Sequence, residues 1–157
     1  MQIITYNKKY KNQIIELILN IQNNEANINL GIEEQPDLLD IYSSYEKNGG
    51  EFWIAVDEDE VIGTIALMNK GNANSVLKKF FVRQDWRNKK VGLELYKKLL
   101  EFANNHNIKM ILLDTPSVAQ ASHKFYEKAG FKRIDKNELP FEYDYPDRNS
   151  YLYLLLL

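Results

Sequence analysis

Apolar and polar residues in the first fifty positions follow a pattern that predicts a short strand and two helices. Residues 3–6 have a weak strand pattern. Apolar residues then recur every three or four positions, as on one face of an α-helix, and Asn7 is placed to cap that helix. Residues 23–34 are polar without a period, which indicates a loop or an irregular helix. Pro36 is typical of a helix start and the glycines at 49 and 50 of a helix end, so a second helix is predicted between them. The apolar faces comprise Tyr10, Ile14, Leu17, Ile18 and Ile21 in the first helix and Leu38, Ile41, Tyr42 and Tyr45 in the second.

The middle of the chain predicts three consecutive strands. Residues 52–56 and 61–68 are rich in β-branched and aromatic side chains, and the charged residues 57–60 between them mark the turn of a hairpin. A second turn at 70–75 leads to a third strand at 76–82. Because no helical period intervenes, the three strands are expected to be antiparallel neighbours.

Helices and strands alternate in the second half of the chain. Apolar positions predict a helix from Val91 to about Asn105, followed by a strand at 108–113. A helix between two strands indicates a right-handed crossover between parallel strands.

The C-terminal quarter predicts one more helix and two more strands. Ser117, with a glutamine three residues on, resembles a capping box that begins a helix, and Gly130 ends it. Residues 131–134 then form a short strand, and 136–149, with two prolines and several acidic residues, form a long loop. Residues 151–157 are apolar on both faces, so this last strand is expected to lie inside the sheet.

Composition adds the limits of a single domain and excludes several kinds of site. A chain of 157 residues fits one domain, so residues 1–157 are expected to form a single α+β unit with a mixed, mostly antiparallel sheet flanked by helices. A net charge of −2 gives no overall basic field for nucleic acid or an anionic membrane. The chain has no cysteine and only two isolated histidines, which excludes disulfides and thiolate zinc and leaves no metal-ligand spacing. We therefore expect a cytoplasmic protein with no metal, no nucleic-acid partner and no membrane partner.

The most informative segment joins the third predicted strand to the long helix, at residues 82–92. A helix N-terminus offers unpaired N–H groups and a partial positive charge, which together hold a phosphate. Arg87, Lys89 and Lys90 add cationic donors there, and Gly92 lets an anion approach the backbone closely. The same residues would also suit a solvated basic turn that caps a surface helix.

The order Val82, Arg87, Gly92 resembles the acetyl-CoA pyrophosphate loop of the GCN5-related N-acetyltransferases, which reads (Arg/Gln)-x-x-Gly-x-(Gly/Ala). Lys90 stands where that pattern has its middle glycine. The resemblance implies that backbone near Phe81 and Val82 bonds the pantetheine and polarises the thioester. It also implies a pyrophosphate site made by Arg87, Asn88, Lys89, Lys90, Val91 and Gly92.

A second segment, Phe125-Tyr126-Glu127-Lys128-Ala129-Gly130-Phe131, is similar to a later helix and turn of the same family. The resemblance implies that Tyr126 protonates the departing CoA thiolate, although the side chain could equally be a core aromatic. Ala119 stands near the place of an asparagine that often contacts the pantetheine. An acidic residue, Glu33 or Glu34 in the first half or Asp114 after the apolar strand, is a candidate for orienting the amine or taking its proton.

Together the two segments imply the acyl-CoA N-acyltransferase fold, with parallel strands at 76–82 and 108–114 that splay apart around the pantetheine. The implied function is direct transfer of the acetyl group of acetyl-CoA, in a ternary complex, to the amine of a small-molecule or peptide acceptor. No metal is implied, and the protein is expected to be a monomer or homodimer. The alternative is a non-catalytic acetyl-CoA-binding domain of the same fold that acts as a sensor.

Overall fold

A mixed sheet of seven strands forms the centre of the protein, whose computed structural model describes residues 1–145 and 149–157. The strand order is β1-β2-β3-β4-β5-β7-β6, and every neighbouring pair is antiparallel except β4 with β5. The strands are β1 (Gln2–Thr5), β2 (Glu51–Asp57), β3 (Glu60–Gly71), β4 (Asn74–Val82), β5 (Met110–Pro116), β6 (Lys132–Ile134) and β7 (Ser150–Leu156). The mixed, mostly antiparallel sheet expected from the sequence is therefore confirmed.

Helices cover both faces of this sheet. The α-helices are α1 (Lys11–Asn20), α2 (Ile41–Ser44), α3 (Val91–Asn105) and α4 (Gln120–Lys128). A π-helical turn, Ile21–Glu25, extends α1, and short 3-10 turns occur at Lys8–Tyr10, Ile32–Glu34, Pro36–Leu39, Glu46–Asn48, Gln84–Trp86 and Lys136–Glu138. Buried side chains of α3 and α4 form one core on one face of the sheet, and those of α1 and α2 form the other core.

The two hairpins of the middle segment have tight turns that their sequences explain. Glu58 and Asp59 have φ of +48° and +64°, and Asn72 and Ala73 have φ of +55° and +65°. Two consecutive left-handed residues match the twist of antiparallel strands, and Asn and Asp tolerate that conformation well. The three consecutive antiparallel strands predicted from the sequence are confirmed.

The parallel strands β4 and β5 are paired over only a short distance. Their register runs from Asn74 opposite Met110 to Val76 opposite Leu112 and stops there. Beyond that point β4 continues beside β3 alone, while β5 continues beside β7. The sheet therefore opens between β4 and β5, in agreement with the splayed pair implied by the sequence. As expected, β7 lies inside the sheet, between β5 and β6.

Two predicted helix boundaries were wrong. The helix expected from Pro36 onward is broken at Asp40, whose backbone leaves the helical conformation with φ −145° and ψ 77°. The Asp40 carboxylate accepts a hydrogen bond from the Ser43 N–H and caps α2 instead. Tyr42, assigned to its apolar face, is 54% exposed. Ser117 does not cap α4, because the helix begins after Ala119 with no side-chain cap, and the Ser117 N–H donates to the backbone oxygen of Asn149.

The loop predicted at 136–149 begins with the turn Lys136–Glu138 and continues without regular structure to residue 145. Pro146, one of the two prolines on which that prediction depended, lies outside the described residues.

Candidate active site

The connection from β4 to α3 has the backbone shape of an anion-binding loop. Asn88 and Lys90 both have left-handed backbone, with φ of +63° and +65°. The first hydrogen bond of α3 runs from the Glu94 N–H to the Lys90 carbonyl, so the amides of the first turn have no partner within the helix. The unpaired amides and the positive end of a fifteen-residue helix thus face the same region. The left-handed conformation at Lys90 also explains why the family pattern has glycine there.

Replacing Lys90 by glycine should stabilise the protein slightly and alter CoA affinity only modestly. A left-handed conformation costs a lysine about 1 kcal/mol, whereas glycine adopts it freely. Thermal unfolding of the variant should show an unchanged or slightly raised Tm, and calorimetric titration should give a Kd within a few-fold of the wild-type value. A large loss of affinity would mean that the lysine side chain itself holds the anion.

Arg87 is fixed in place at the end of β4. Its Nε donates to the Val82 carbonyl at 3.0 Å, and its Nη2 pairs with Glu25 Oε1 at 2.7 Å. Glu25 is the last residue of the π-helical turn that follows α1. Lys89 is exposed and lies over the Trp86 ring at 5.1 Å. The contacts with Val82 and Glu25 therefore hold the Arg87 guanidinium beside the loop, where its remaining N–H groups can bind an anion.

Gly92 lies in the first turn of α3, against the end of β4. A Cβ placed there would lie 3.4 Å from the Phe80 ring and 3.7 Å from Val82 Cγ2, which is ordinary contact. One methyl group therefore fits at this position.

Beyond Val76, the edge of β4 that faced β5 has no strand partner among the described residues, so its backbone N–H and C=O groups point into the gap between β4 and β5. The Arg83 N–H donates to the Ile62 carbonyl on β3, and successive N–H groups along a strand point to opposite edges. The Val82 N–H consequently points to the gap and the Phe81 N–H to β3. Upstream, β4 bulges at Lys79, which has φ of +55° and whose carbonyl accepts a hydrogen bond from the Thr64 hydroxyl at 2.6 Å.

Tyr126 lies in α4, near the gap, and belongs to the core beneath α3 and α4. It is 6% exposed, and its ring packs near those of Phe80 and Tyr153. Burial raises the pKa of Tyr126 well above its usual value, and the negative charge of Asp114 raises that pKa further. The phenol consequently keeps its proton at neutral and mildly alkaline pH, as a proton donor must.

A buried polar network lies on the opposite face of the sheet and consists of Gln22, Gln35, Asp37, Tyr45 and Lys79. Gln22 and Gln35 exchange amide hydrogen bonds of 3.0 and 2.7 Å. Lys79 Nζ donates to Gln35 Oε1 at 2.5 Å and lies 3.6 Å from Asp37 Oδ2, which also accepts the Tyr45 hydroxyl at 2.6 Å. Burial lowers the pKa of Lys79, whereas the nearby Asp37 carboxylate opposes that shift.

The remaining acidic candidates occupy different surroundings. Asp114 on β5 accepts a hydrogen bond from the Tyr143 hydroxyl, and its charge acts on both Tyr126 and Lys79. Glu33 and Glu34 are exposed on the turn Ile32–Glu34. Asp114 thus lies beside the gap, close to the tyrosine that the sequence suggested as an acid.

Sequence reasoning missed the buried polar network. It assigned no part of a site to either Asp37 or Lys79. A signal was present, because two adjacent lysines at 78 and 79 interrupt an otherwise apolar strand. An extra polar residue in a strand indicates a bulge, and bulges are common beside functional sites.

An open cavity of about 460 Å³ adjoins this network. Its lining residues are Pro36, Asp37, Ser44, Asn48, Met68, Asn69 and Lys70. Asp37, whose carboxylate Lys79 and Tyr45 contact, belongs to both the cavity and the network. Within 1–145 and 149–157, His, Asp and Glu side chains form no group of three that could hold a metal ion, and no helix is long and apolar enough to cross a bilayer.

Comparisons of the sequence with known proteins point to one family. The family model described as the acetyltransferase (GNAT) family matches residues 15–131. N-acetylaspartate synthetase of Danio rerio is 35% identical over 104 residues, which make up 65% of this chain and 37% of that protein. The human protein of the same name is 36% identical over 104 residues, 65% of this chain and 34% of that protein. The chain thus spans about a third of the length of these curated relatives.

Solved structures match over nearly the whole chain. An acetyltransferase from Streptococcus agalactiae 2603 is 38% identical with a TM-score of 0.96, covering 99% of this chain and 98% of that one. A GNAT-family acetyltransferase from Staphylococcus aureus Mu50 is 38% identical with a TM-score of 0.93, covering 98% and 96%. The PaiA N-acetyltransferase of Thermoplasma acidophilum, solved with coenzyme A, is 18% identical with a TM-score of 0.74, covering 100% of both chains; at that identity it shows a common fold.

Proposed function

Because the chain belongs to the acetyltransferase (GNAT) family, we propose that it transfers the acetyl group of acetyl-CoA to the amine of a small-molecule or peptide acceptor. The observation that carries the proposal is the combination of a phosphate-type loop at the start of α3 with a gap between β4 and β5. The loop suits the pyrophosphate of CoA, and the gap suits its pantetheine arm. Residues 1–157 would act as one domain, as a monomer or homodimer.

Both backbone and side-chain groups of the loop would bind the acetyl-CoA donor. The amides at the start of α3 would hold the pyrophosphate oxygens, with Arg87 supplying a cation at one side. The Val82 N–H, which points to the gap, would bond the pantetheine or the thioester oxygen. A hydrogen bond to that oxygen polarises the carbonyl and stabilises the charge that develops during attack.

Two proton transfers would take place at the gap, one from the acceptor amine and one to the leaving thiolate. The acceptor amine is a nucleophile only when neutral, so a carboxylate or a water chain must take its proton. Asp114 is the better candidate than Glu33, because its charge acts at the gap whereas Glu33 is exposed. Tyr126 would then protonate the leaving thiolate. Transfer would be direct, in a ternary complex, as the family resemblance implies; the absence of cysteine excludes an acetyl-enzyme thioester.

A cytoplasmic location is part of the proposal. The absence of cysteine is compatible with a reducing compartment, and acetyl-CoA has to be available where the enzyme works.

CoA and acetyl-CoA should raise the melting temperature. A ligand at 100 times its Kd stabilises the folded state by about 2.7 kcal/mol, which shifts the Tm of a domain of this size by roughly 5–10 °C. Differential scanning fluorimetry with CoA checks this, and 3′,5′-ADP, which lacks the pantetheine arm, should give a smaller shift. No shift at millimolar CoA would contradict the donor site.

Turnover tests the transferase activity itself. Release of free thiol from acetyl-CoA, followed with a thiol reagent over a panel of amines, should rise above slow hydrolysis for at least one acceptor. Thermal stabilisation by CoA with no acceptor-dependent thiol release would instead indicate a sensor domain.

A further inference from the structure

Lys79 is an unusual residue for the middle of a sheet. Its side chain is 9% exposed, and it lies at the bulge of β4, just beyond the point where β4 and β5 part. Burying an ammonium group is unfavourable unless its charge and its donors are compensated, and apolar replacements of buried charges are often no less stable. A cation kept in such a place, beside a candidate active site, points to a role in binding.

The partners of Lys79 leave part of its hydrogen-bonding capacity unused. An ammonium group has three donors. Among the described residues it makes one hydrogen bond, to Gln35 Oε1 at 2.5 Å, and a longer ion pair with Asp37 at 3.6 Å. The Asp37 oxygen of that pair also accepts the Tyr45 hydroxyl. Lys79 can therefore give a further strong hydrogen bond to an anionic group that enters beside Asp37.

The charges around the gap match a ligand that carries both signs. Asp37 and Asp114 each accept a hydrogen bond from a tyrosine and act electrostatically on Lys79. These two carboxylates favour an incoming ammonium group, whereas Lys79 repels a second positive charge and attracts a negative one. A polyamine would pair only with the two carboxylates. A molecule with neighbouring amine and carboxylate groups would pair with the carboxylates and with Lys79.

We infer that the acceptor is a free amino acid or a similar amino carboxylate, and that Lys79 binds its carboxylate. This inference depends on the proposed acetyl transfer. The bulge lies only two or three residues before Phe81 and Val82, which corresponds to roughly 7–10 Å along a strand. Lys79 and the Val82 N–H therefore belong to one short stretch of β4 beside the gap. Asp37, the ion-pair partner of Lys79, lines a cavity of about 460 Å³, which has room for an amino acid.

Matched acceptors test the inference. Each free amino acid is compared with its carboxamide and its decarboxylated amine in the thiol-release assay, at pH values that give equal fractions of neutral amine. We expect kcat/KM to be about 10- to 100-fold higher for the preferred amino acid than for its carboxamide, the size of one hydrogen bond to a charged group. Lys79→Gln should remove that difference by lowering kcat/KM for the amino acid and leaving the carboxamide within about threefold.

Two further variants distinguish recognition of the acceptor carboxylate from a loss of stability and from the loss of any nearby positive charge. Lys79→Gln/Asp37→Asn removes both charges of the ion pair, so it avoids an unpaired buried carboxylate and should show the same loss of discrimination. Lys78→Gln removes the neighbouring, half-buried lysine, which has no hydrogen bond to the network among the described residues, and should keep the discrimination. An equal effect of Lys79→Gln on both acceptors, or a wild-type preference for decarboxylated amines, would overturn the inference.

Binding provides a readout that does not require turnover. With CoA bound, the preferred amino acid should raise the Tm of the wild-type protein, whereas its carboxamide and the Lys79→Gln variant should show a much smaller shift. That pattern without acetyl transfer would support the role of Lys79 and contradict the transferase activity. Equal shifts with amino acid and carboxamide, or none, would overturn the role of Lys79 whatever the turnover.

Discussion

Replacing Gly92 by glutamate should abolish CoA binding, with Kd raised at least about 100-fold. The helix start at Gly92 is where the backbone amides would meet the pyrophosphate, so a carboxylate there both fills the approach and repels the anion. At an effective dielectric constant of 20, two unit charges 4 Å apart repel by about 4 kcal/mol, which is more than enough for that loss. The fold should survive, because glutamate is favourable in the first turn of a helix.

Gly92→Ala is the matched control. Its methyl group meets Phe80 and Val82 at ordinary contact distances, and alanine is a better helix former than glycine. Isothermal titration with CoA should give the alanine variant a near-wild-type Kd and the glutamate variant no measurable heat, with similar melting temperatures in the absence of ligand. Normal CoA binding by Gly92→Glu would show that the pyrophosphate lies elsewhere.

Tyr126→Phe should lower kcat by about 100-fold and leave CoA affinity nearly unchanged. The variant loses only the hydroxyl that would protonate the leaving thiolate, and general acid catalysis contributes about 10²–10⁴-fold. Burial and the charge of Asp114 raise the pKa of Tyr126, so its neutral form persists as the pH rises and no alkaline loss of activity should come from this residue below pH 10. Steady-state kinetics, CoA titration and the Tm are measured on one preparation.

A second buried tyrosine gives the control for this prediction. Tyr96 packs in the same aromatic core, and its hydroxyl has no hydrogen-bond partner among the described residues. Tyr96→Phe removes that unpaired group and should keep both stability and kcat. If Tyr126→Phe retains wild-type kcat, or if it loses stability while the folded fraction works normally, then Tyr126 is a core aromatic and another group protonates the thiolate.

Much of the fold follows from local patterns that the sequence displays directly. The turns at Asp59 and Asn72 agree with the hairpins that they close, because aspartate and asparagine tolerate the left-handed conformation. The apolar period of α3 predicts both of its ends correctly. In each case local preference and tertiary structure favour the same conformation, so the sequence alone is sufficient to predict these elements.

The acceptor side of the candidate site depends on contacts between distant segments. The break at Asp40 divides a helix whose apolar period appears continuous, and the 3-10 turns around it bring Asp37 and Tyr45 within reach of one another. Gln35 and Lys79 meet across forty-four positions of sequence. No periodicity in one chain encodes such a pairing. The loop at Arg87 could therefore be predicted, whereas the lysines at 78 and 79 indicated a bulge and not the partners of Lys79.

The most direct test of acetyl transfer is a single-turnover reaction with acetyl-labelled acetyl-CoA, an acceptor identified in the thiol-release screen, and an excess of enzyme. Mass spectrometry of the small molecules and of the intact protein follows the label. We predict one equivalent of N-acetylated acceptor for each free thiol, with the mass of the protein unchanged throughout. Thiol release without an acetylated amine, or an acetylated protein that forms before the product, would contradict direct transfer to the acceptor.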